Sequence, residues 1–185
     1  ITPAQLALDP CSASVVITNT KGEVLALVSY PSYDNNRLAN SIDSEYYAWL
    51  QTDLTRPMWN SATQQKTVPG STFKMVSATA ALEENIINTR SQILCRGIFD
   101  RFTTNQYKCH VYPSSHGSLN VVGGIAKSCN CSFANMGIEL DRDIYHDTIM
   151  DLGFNQSLPV DFNYNQSKLT VDDSVSGDDM IQISF

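Results

Sequence analysis

The sequence predicts an α+β fold, and two observations carry that expectation. Residues 13–30, "ASVVITNTKGEVLALVSY", alternate apolar and polar side chains around a Lys-Gly turn, the pattern of a β-hairpin. Downstream, segments that read as helices are separated by short strand-like pieces and by Pro and Gly breaks rather than by turns at regular strand spacing. A chain of 185 residues is long enough for one domain with a real core.

The elements follow in order. After the hairpin, "PSYDNNRLANSIDS" is a polar loop, and "SEYYAWLQTDL" (44–54) is a short amphipathic helix. "TRPMWNSATQQKTVPG" is a loop or broken helix. Residues 71–84 are helical, because small and unbranched apolar residues follow the Pro-Gly break and run to Glu83-Glu84-Asn85. Residues 90–118 carry strand-like pieces, turns and most of the Cys and His; "NVVGGIAKS" (120–128) is a short helix. "CSFANMGIEL" and "DRDIYHDTIMDLG" are two further helices, the second stopped at Gly153. The tail "DFNYNQSKLTVDDSVSGDDM" is polar and loop-like, and "DDMIQISF" reads as the start of another element.

Composition narrows the function classes. A formal net charge of −7 argues against a surface that tracks phosphates, so no nucleic-acid partner is expected. No apolar run approaches membrane-spanning length, and no signal peptide is visible. The opening "ITPAQLALDP" lacks an initiator Met, so the expectation is a piece of a larger protein.

The chemistry-bearing residues begin at "VPGSTFKMVSATAALEE". In a helix, residues three apart lie about 5–6 Å from each other at Cβ, so Ser71 Oγ and the Lys74 ammonium can meet. A serine in the first turn also sits where unpaired N–H groups and the helix dipole favour developing negative charge. If that helix is central, desolvation lowers the Lys74 pKa and makes the amine a base for the serine proton. The same S-x-x-K is equally a serine N-cap with a surface lysine. A second element is "KSCNCSF": in an extended S-x-N, Ser128 and Asn130 share one face while Cys129 points away. Ser118-Leu119-Asn120 has the same form, and spacing does not choose between them.

With these residues in hand, the chain resembles the transpeptidase domain of class B penicillin-binding proteins over about residues 12–185. "GEVLALVSYPSYDNN" resembles that family's second strand and following loop, "PGSTFK" its nucleophile motif, and "HGSLNVVGGIAKSCNCSF" the segment ending in its S-x-N element. The resemblance implies a penicillin-binding-protein/β-lactamase-like fold, an antiparallel sheet flanked by helices, with residues 1–185 forming one partial domain incomplete at its C-terminus. It also implies roles: Ser71 as acylated nucleophile, Lys74 as its base, Ser128 as proton relay and Asn130 as the substrate-positioning amide. The Ser71 backbone N–H would supply half of an oxyanion hole. The chain departs from the pattern in lacking the K-[ST]-G element, since "KTV" at 66–68 precedes the nucleophile and "SKLT" at 167–170 has no glycine.

The cysteines raise a separate question. Cys95, Cys109, His116 and Cys129 lie in the segment leading into the S-x-N element. If Ser128 and Asn130 face a cleft, Cys129 faces the protein body. Three thiolates and an imidazole form a closed tetrahedral set suited to structural Zn²⁺. A Cys95–Cys109 disulfide and inert buried thiols are the alternatives. Similarity to zinc-containing class B enzymes of the clostridial type favours zinc, with no organic cofactor. His110 is the rival to His116. Cys11, and Cys131 placed on the cleft side by the same alternation, are the poorest ligands. Such a zinc, with four protein ligands, would fix a loop and would not catalyse.

Three function classes follow. The first is peptidoglycan D,D-transpeptidation through an acyl-serine, trapped by β-lactams. The second is a serine β-lactamase or β-lactam sensor. The third is a non-catalytic fragment with structural zinc. By resemblance the partners are peptidoglycan stem peptides, β-lactam antibiotics and the cell-wall synthesis machinery, at the extracytoplasmic face of the bacterial membrane with an N-terminal anchor on the parent. Trp49, Trp59, Tyr46 and Tyr47 read as core and rim packing, His146 as a surface residue, and the Asn-x-Ser triplets at 130, 155 and 165 as incidental.

Overall fold

The computed structural model describes residues 12–101, 106–172 and 174–184; Cys11 lies outside them. The chain divides into two compact units, one running to Thr67 and including Val160–Asn165, the other built from Val68–Pro159 and Gln166 onward.

In the first unit, β1 (Ala13–Thr18) pairs antiparallel with β2 (Val24–Tyr30), from Ala13↔Tyr30 to Ile17↔Ala26, with a register shift before Thr18. Asn19 closes the turn by accepting from the backbone N–H of Lys21 and Glu23 through its Oδ1. The alternation that identifies the hairpin does not produce a covered face: Val15, Val16, Ile17 and Val28 all remain about half exposed, as a ladder of two strands has too little surface to bury them. The helix expected over 44–54 is α1 (Ser44–Thr52), capped by the Asp43 carboxylate on Tyr46 N–H, and a single turn, α2 (Ser61–Gln64), interrupts the loop that follows. The aromatic residues here are not core. Trp49 is 53% exposed and Tyr47 40%. Tyr46 and Trp49 stack on each other at the helix surface instead, three residues apart.

The second unit carries every candidate site residue. Its axis is α3 (Lys74–Glu83), whose Val76, Ser77, Ala78, Ala80 and Ala81 are buried. Small side chains let α5 (Asn130–Glu139) and α6 (Arg142–Asp151) pack against it around Phe133, Met136, Tyr145 and Ile149. Tyr145 is fully buried, and its hydroxyl is satisfied by Ser77 Oγ at 2.8 Å, while burial pushes its phenol pKa up. The element expected to begin at "DDMIQISF" is a helix, α7 (Gly177–Ile183), which takes in the last residues of the loop-like tail and is started by a Ser176/Asp179 capping box. Gly153 stops α6 at φ +87°, as its position predicts.

The segment rich in cysteine folds as two short antiparallel ladders, β3 (Ile93–Cys95) with β6 (Gly117–Leu119) and β4 (Ile98–Phe99) with β5 (Tyr107–Lys108). A short helix, α4 (Val121–Ala126), leads from it to the S-C-N segment. Gly97 between the ladders sits at φ +84°, and a Cβ there would lie 2.1 Å from the Ser114 carbonyl oxygen. Gly97→Ala combines left-handed strain with a backbone clash, so it should cost about 2–4 kcal/mol. Thermal circular dichroism should show Tm falling by about 5–15 °C.

Candidate active site

Pro69 and Gly70, the latter at φ +57°, turn the chain into a 3₁₀ turn over Gly70–Phe73. Ser71 therefore stands on that tight turn and not on the α-helix proper, one turn before Lys74 opens α3. Lys74 is only 2% exposed. Its Nζ lies 3.1 Å from Ser71 Oγ, 3.0 Å from both the carbonyl oxygen and the hydroxyl of Ser128, and 2.7 Å from Asn130 Oδ1. The Ser128 hydroxyl is also 3.0 Å from Ser71 Oγ.

Four of these five contacts take protons consistently when the amine is neutral, and the Ser128 hydroxyl stays within reach of Nζ as the fifth. Ser128 donates to Ser71 Oγ, Ser71 donates to the Lys74 lone pair, and the two amine protons go to Asn130 Oδ1 and the Ser128 carbonyl. Burial holds the Lys74 pKa below its ordinary value, opposed by the negative charge that Cys109 and Cys129 can carry nearby.

Ser128 and Asn130 reach one face as anticipated, but by another backbone route. Ser128 is at φ +45°, Cys129 is extended as the N-cap of α5, and Asn130 is already helical. The strand-like alternation thus ends at Cys129, which corrects the expectation for Cys131. That residue is 1% exposed and packs with the other cysteines instead of facing a cleft. The competing Ser118-Leu119-Asn120 is occupied elsewhere: Ser118 Oγ bonds Gln92, and Asn120 caps α4 through Gly123 N–H.

On the body side of the same loop, Cys95 Sγ, Cys109 Sγ, Cys129 Sγ and a His116 ring nitrogen lie within 4.8 Å of one another. Cys95, Cys109, Cys129 and Cys131 are free, so no Cys95–Cys109 disulfide forms. The separations are 3.9 Å for Cys109–Cys129 and 3.8 and 3.6 Å from His116 Nδ1 to Cys95 and Cys109. Tetrahedral zinc at about 2.3 Å from sulfur and 2.05 Å from nitrogen spaces its ligand atoms about 3.6–3.8 Å apart. The donor set fits that ion. Burial raises the Cys95 pKa, but hydrogen bonds outweigh it, including one from Gly97 N–H at 3.4 Å, and leave the thiol lowered; burial pushes Cys129 up to about 11. His116 is held below its usual value by desolvation, then by the charges of His110 and Lys127. His110 is exposed, its Nδ1 4.0 Å from Cys109 Sγ, and lies outside the close set.

Sequence reasoning did not find the Lys108 main chain. Its carbonyl accepts from Asn130 Nδ2 at 3.3 Å, so the Asn130 amide is held at both ends. No side-chain pattern announces a backbone acceptor.

The chain matches the family model described as "Penicillin binding protein transpeptidase domain" over residues 13–184. It is 33% identical over 142 residues, 77% of its length, to the peptidoglycan D,D-transpeptidase MrdA of Haemophilus influenzae, and spans 22% of that protein. It is 30% identical over 156 residues, 84% of its length, to MrdA of Escherichia coli K12, spanning 25% of it. Among solved structures, it superposes on the imipenem acyl-enzyme complex of penicillin-binding protein A from M. tuberculosis with a TM-score of 0.84 at 25% identity, covering 94% of this chain and 41% of that one. For PBP2 of Pseudomonas aeruginosa the values are 0.79 and 27%, covering 91% and 39%.

Proposed function

The chain belongs to the penicillin-binding protein transpeptidase family, and on that footing we propose that it carries the acylation machinery of a class B peptidoglycan D,D-transpeptidase. The observation that carries the reading is the buried Lys74 amine, met at once by Ser71, Ser128 and Asn130. Ser71 Oγ attacks the carbonyl of the penultimate D-alanine as its proton passes to Lys74. The Ser71 N–H stabilises the developing oxyanion. Lys74 returns the proton through the Ser128 hydroxyl to the departing amine, the C–N bond breaks, and D-alanine leaves. An amine of a neighbouring stem peptide then resolves the acyl-serine. With a β-lactam the leaving nitrogen stays tethered, and the acyl state persists.

Zinc of the clostridial-type arrangement is part of the same proposal. Cys95, Cys109, His116 and Cys129 would hold it, and the ion would supply a rigid cross-link with no open coordination position. Its value to the site follows from two neighbours in the chain. Cys129 precedes Asn130, and Cys109 follows Lys108, whose carbonyl holds the Asn130 amide. Both flanks of the substrate-positioning amide would thereby be pinned by metal ligands. The place of action is the extracytoplasmic face of the membrane, where stem peptides are cross-linked, with the cell-wall synthesis machinery as partner. Among the described residues, no helix is long and apolar enough to cross a membrane.

Fluorescent penicillin and peptide mass spectrometry test the assignment. An adduct should map to Ser71 and vanish in Ser71→Ala. Residues 1–185 contain no K-[ST]-G, and losing one oxyanion donor costs about 10²–10³ in rate. These residues alone should therefore label slowly and below one equivalent, and rapid stoichiometric labelling would contradict that expectation. An adduct on any residue other than Ser71 would overturn the catalytic assignment.

A further inference from the structure

Resting on the transpeptidase reading, we propose that Lys108 is a specificity-determining residue that pairs with a carboxylate on the acyl-donor peptide, on the amino side of the scissile D-alanyl unit.

The argument starts from where Lys108 is held. Its carbonyl bonds Asn130 Nδ2 at 3.3 Å, Asn130 Oδ1 meets Lys74 Nζ at 2.7 Å, and Nζ meets Ser71 Oγ at 3.1 Å. Lys108 is thus three hydrogen bonds from the nucleophile, on the far side of the amide that orients the substrate backbone. Asn130 Nδ2 has a second proton that a peptide can accept, and in the proposed pose the residue before the scissile D-alanyl unit runs past the strand end that carries Lys108.

The side chain is exposed yet not free to wander. The turn after it brings Tyr112 back through Tyr112 N–H to the Cys109 carbonyl at 2.9 Å, and the ammonium rests 4.9 Å from the Tyr112 ring centroid. A cation steadied by an aromatic face loses less freedom on pairing than a surface lysine does. The backbone beneath it is equally fixed, since Cys109 N–H bonds the Gly97 carbonyl at 2.9 Å and Cys109 Sγ is in the cysteine cluster.

Charge gives this cation its selective value. The chain has 12 Lys and Arg against 19 Asp and Glu, so its average field repels an anionic peptide. Several of the cations are already engaged: Lys74 is buried, Arg37 is paired with Asp43, and Arg101 with Glu139. Lys108 and Lys127, the residue before Ser128, are both exposed beside the S-C-N segment. Attraction is local to these two residues, and Lys108 is the one whose main-chain carbonyl bonds the substrate-orienting Asn130.

The test uses two D-alanyl thioester donors that differ only in a carboxylate or a carboxamide on the residue before the D-alanine, with kcat/KM measured on the protein at its full natural length. The wild type should prefer the carboxylate by about 2–5-fold, the range of a partly exposed ion pair. Lys108→Gln should bring the ratio to one, Lys108→Glu should invert it, and Lys108→Arg should restore it. Lys21→Gln, in the hairpin turn, should keep the wild-type ratio. Equal use of both donors by the wild type, or a Lys108→Gln loss that is the same for both, overturns the inference while leaving Ser71 acylation standing. Failure of every donor to acylate Ser71 overturns the transpeptidase reading, and this inference with it.

Discussion

Lys74→Met should slow acylation of Ser71 by about 10²–10⁴-fold, the contribution of a positioned general base. Methionine fills a similar space and keeps the approach to the Phe133 ring, 5.6 Å from Nζ, so circular dichroism should show the variant folded. The pH dependence separates lost basicity from lost packing. Burial lowers the Lys74 pKa below 10.5, so wild-type acylation should climb as the amine loses its proton, with an inflection below that of an exposed lysine. The variant should lack that rising limb. The same shift has a stability consequence of opposite sense to an ion pair. The unfolded chain holds this proton more tightly, so the lysine's burial costs stability at acid and neutral pH, and the cost shrinks as pH rises toward 10.5. A wild-type rate that is flat with pH and matched by Lys74→Met would remove the base from the mechanism.

Purified protein should carry one zinc per chain by mass spectrometry, and stripping it with a chelator should lower Tm by about 10 °C. That shift corresponds to the roughly 4 kcal/mol gained when a ligand is present at a thousand times its Kd. Cys129→Ser should reduce bound zinc to background. Cys131→Ala should retain it, because Cys131 packs against the four donors without belonging to the close set. If zinc merely staples the fold, acylation should fall only as far as the folded fraction does. If it sets the Asn130 amide through Cys129 and the Lys108 carbonyl, acylation should fall further while the protein is still folded. Zinc at background in the wild type would end the metal proposal.

The motifs were legible from residue types and short spacings alone. Residues three apart on a helical turn lie within reach of each other, so the Ser71–Lys74 pair is legible from spacing, and the Pro-Gly break locates the turn that presents them. The hairpin, α3 and the stop at Gly153 follow from local rules for the same reason. Long-range choices were not legible that way. Two S-x-N triplets are alike as strings, and the residues alone left them tied until family resemblance favoured Ser128 and Asn130; in the fold it is Ser128, at φ +45°, that meets Lys74, while Ser118 pairs with Gln92. Strand alternation carried past Asn130 puts Cys131 on the wrong side, although the helix read from Cys131 onward, which starts at Asn130 in the fold, already ends that period. The selection of His116 over its neighbour His110 depends on a turn that brings residues 95, 109, 116 and 129 to one point. Local sequence specifies which groups can react. Which of them face each other is set by burial of distant segments against one another, since only folding brings the nucleophile, its base and the loop beyond residue 127 within hydrogen-bond reach.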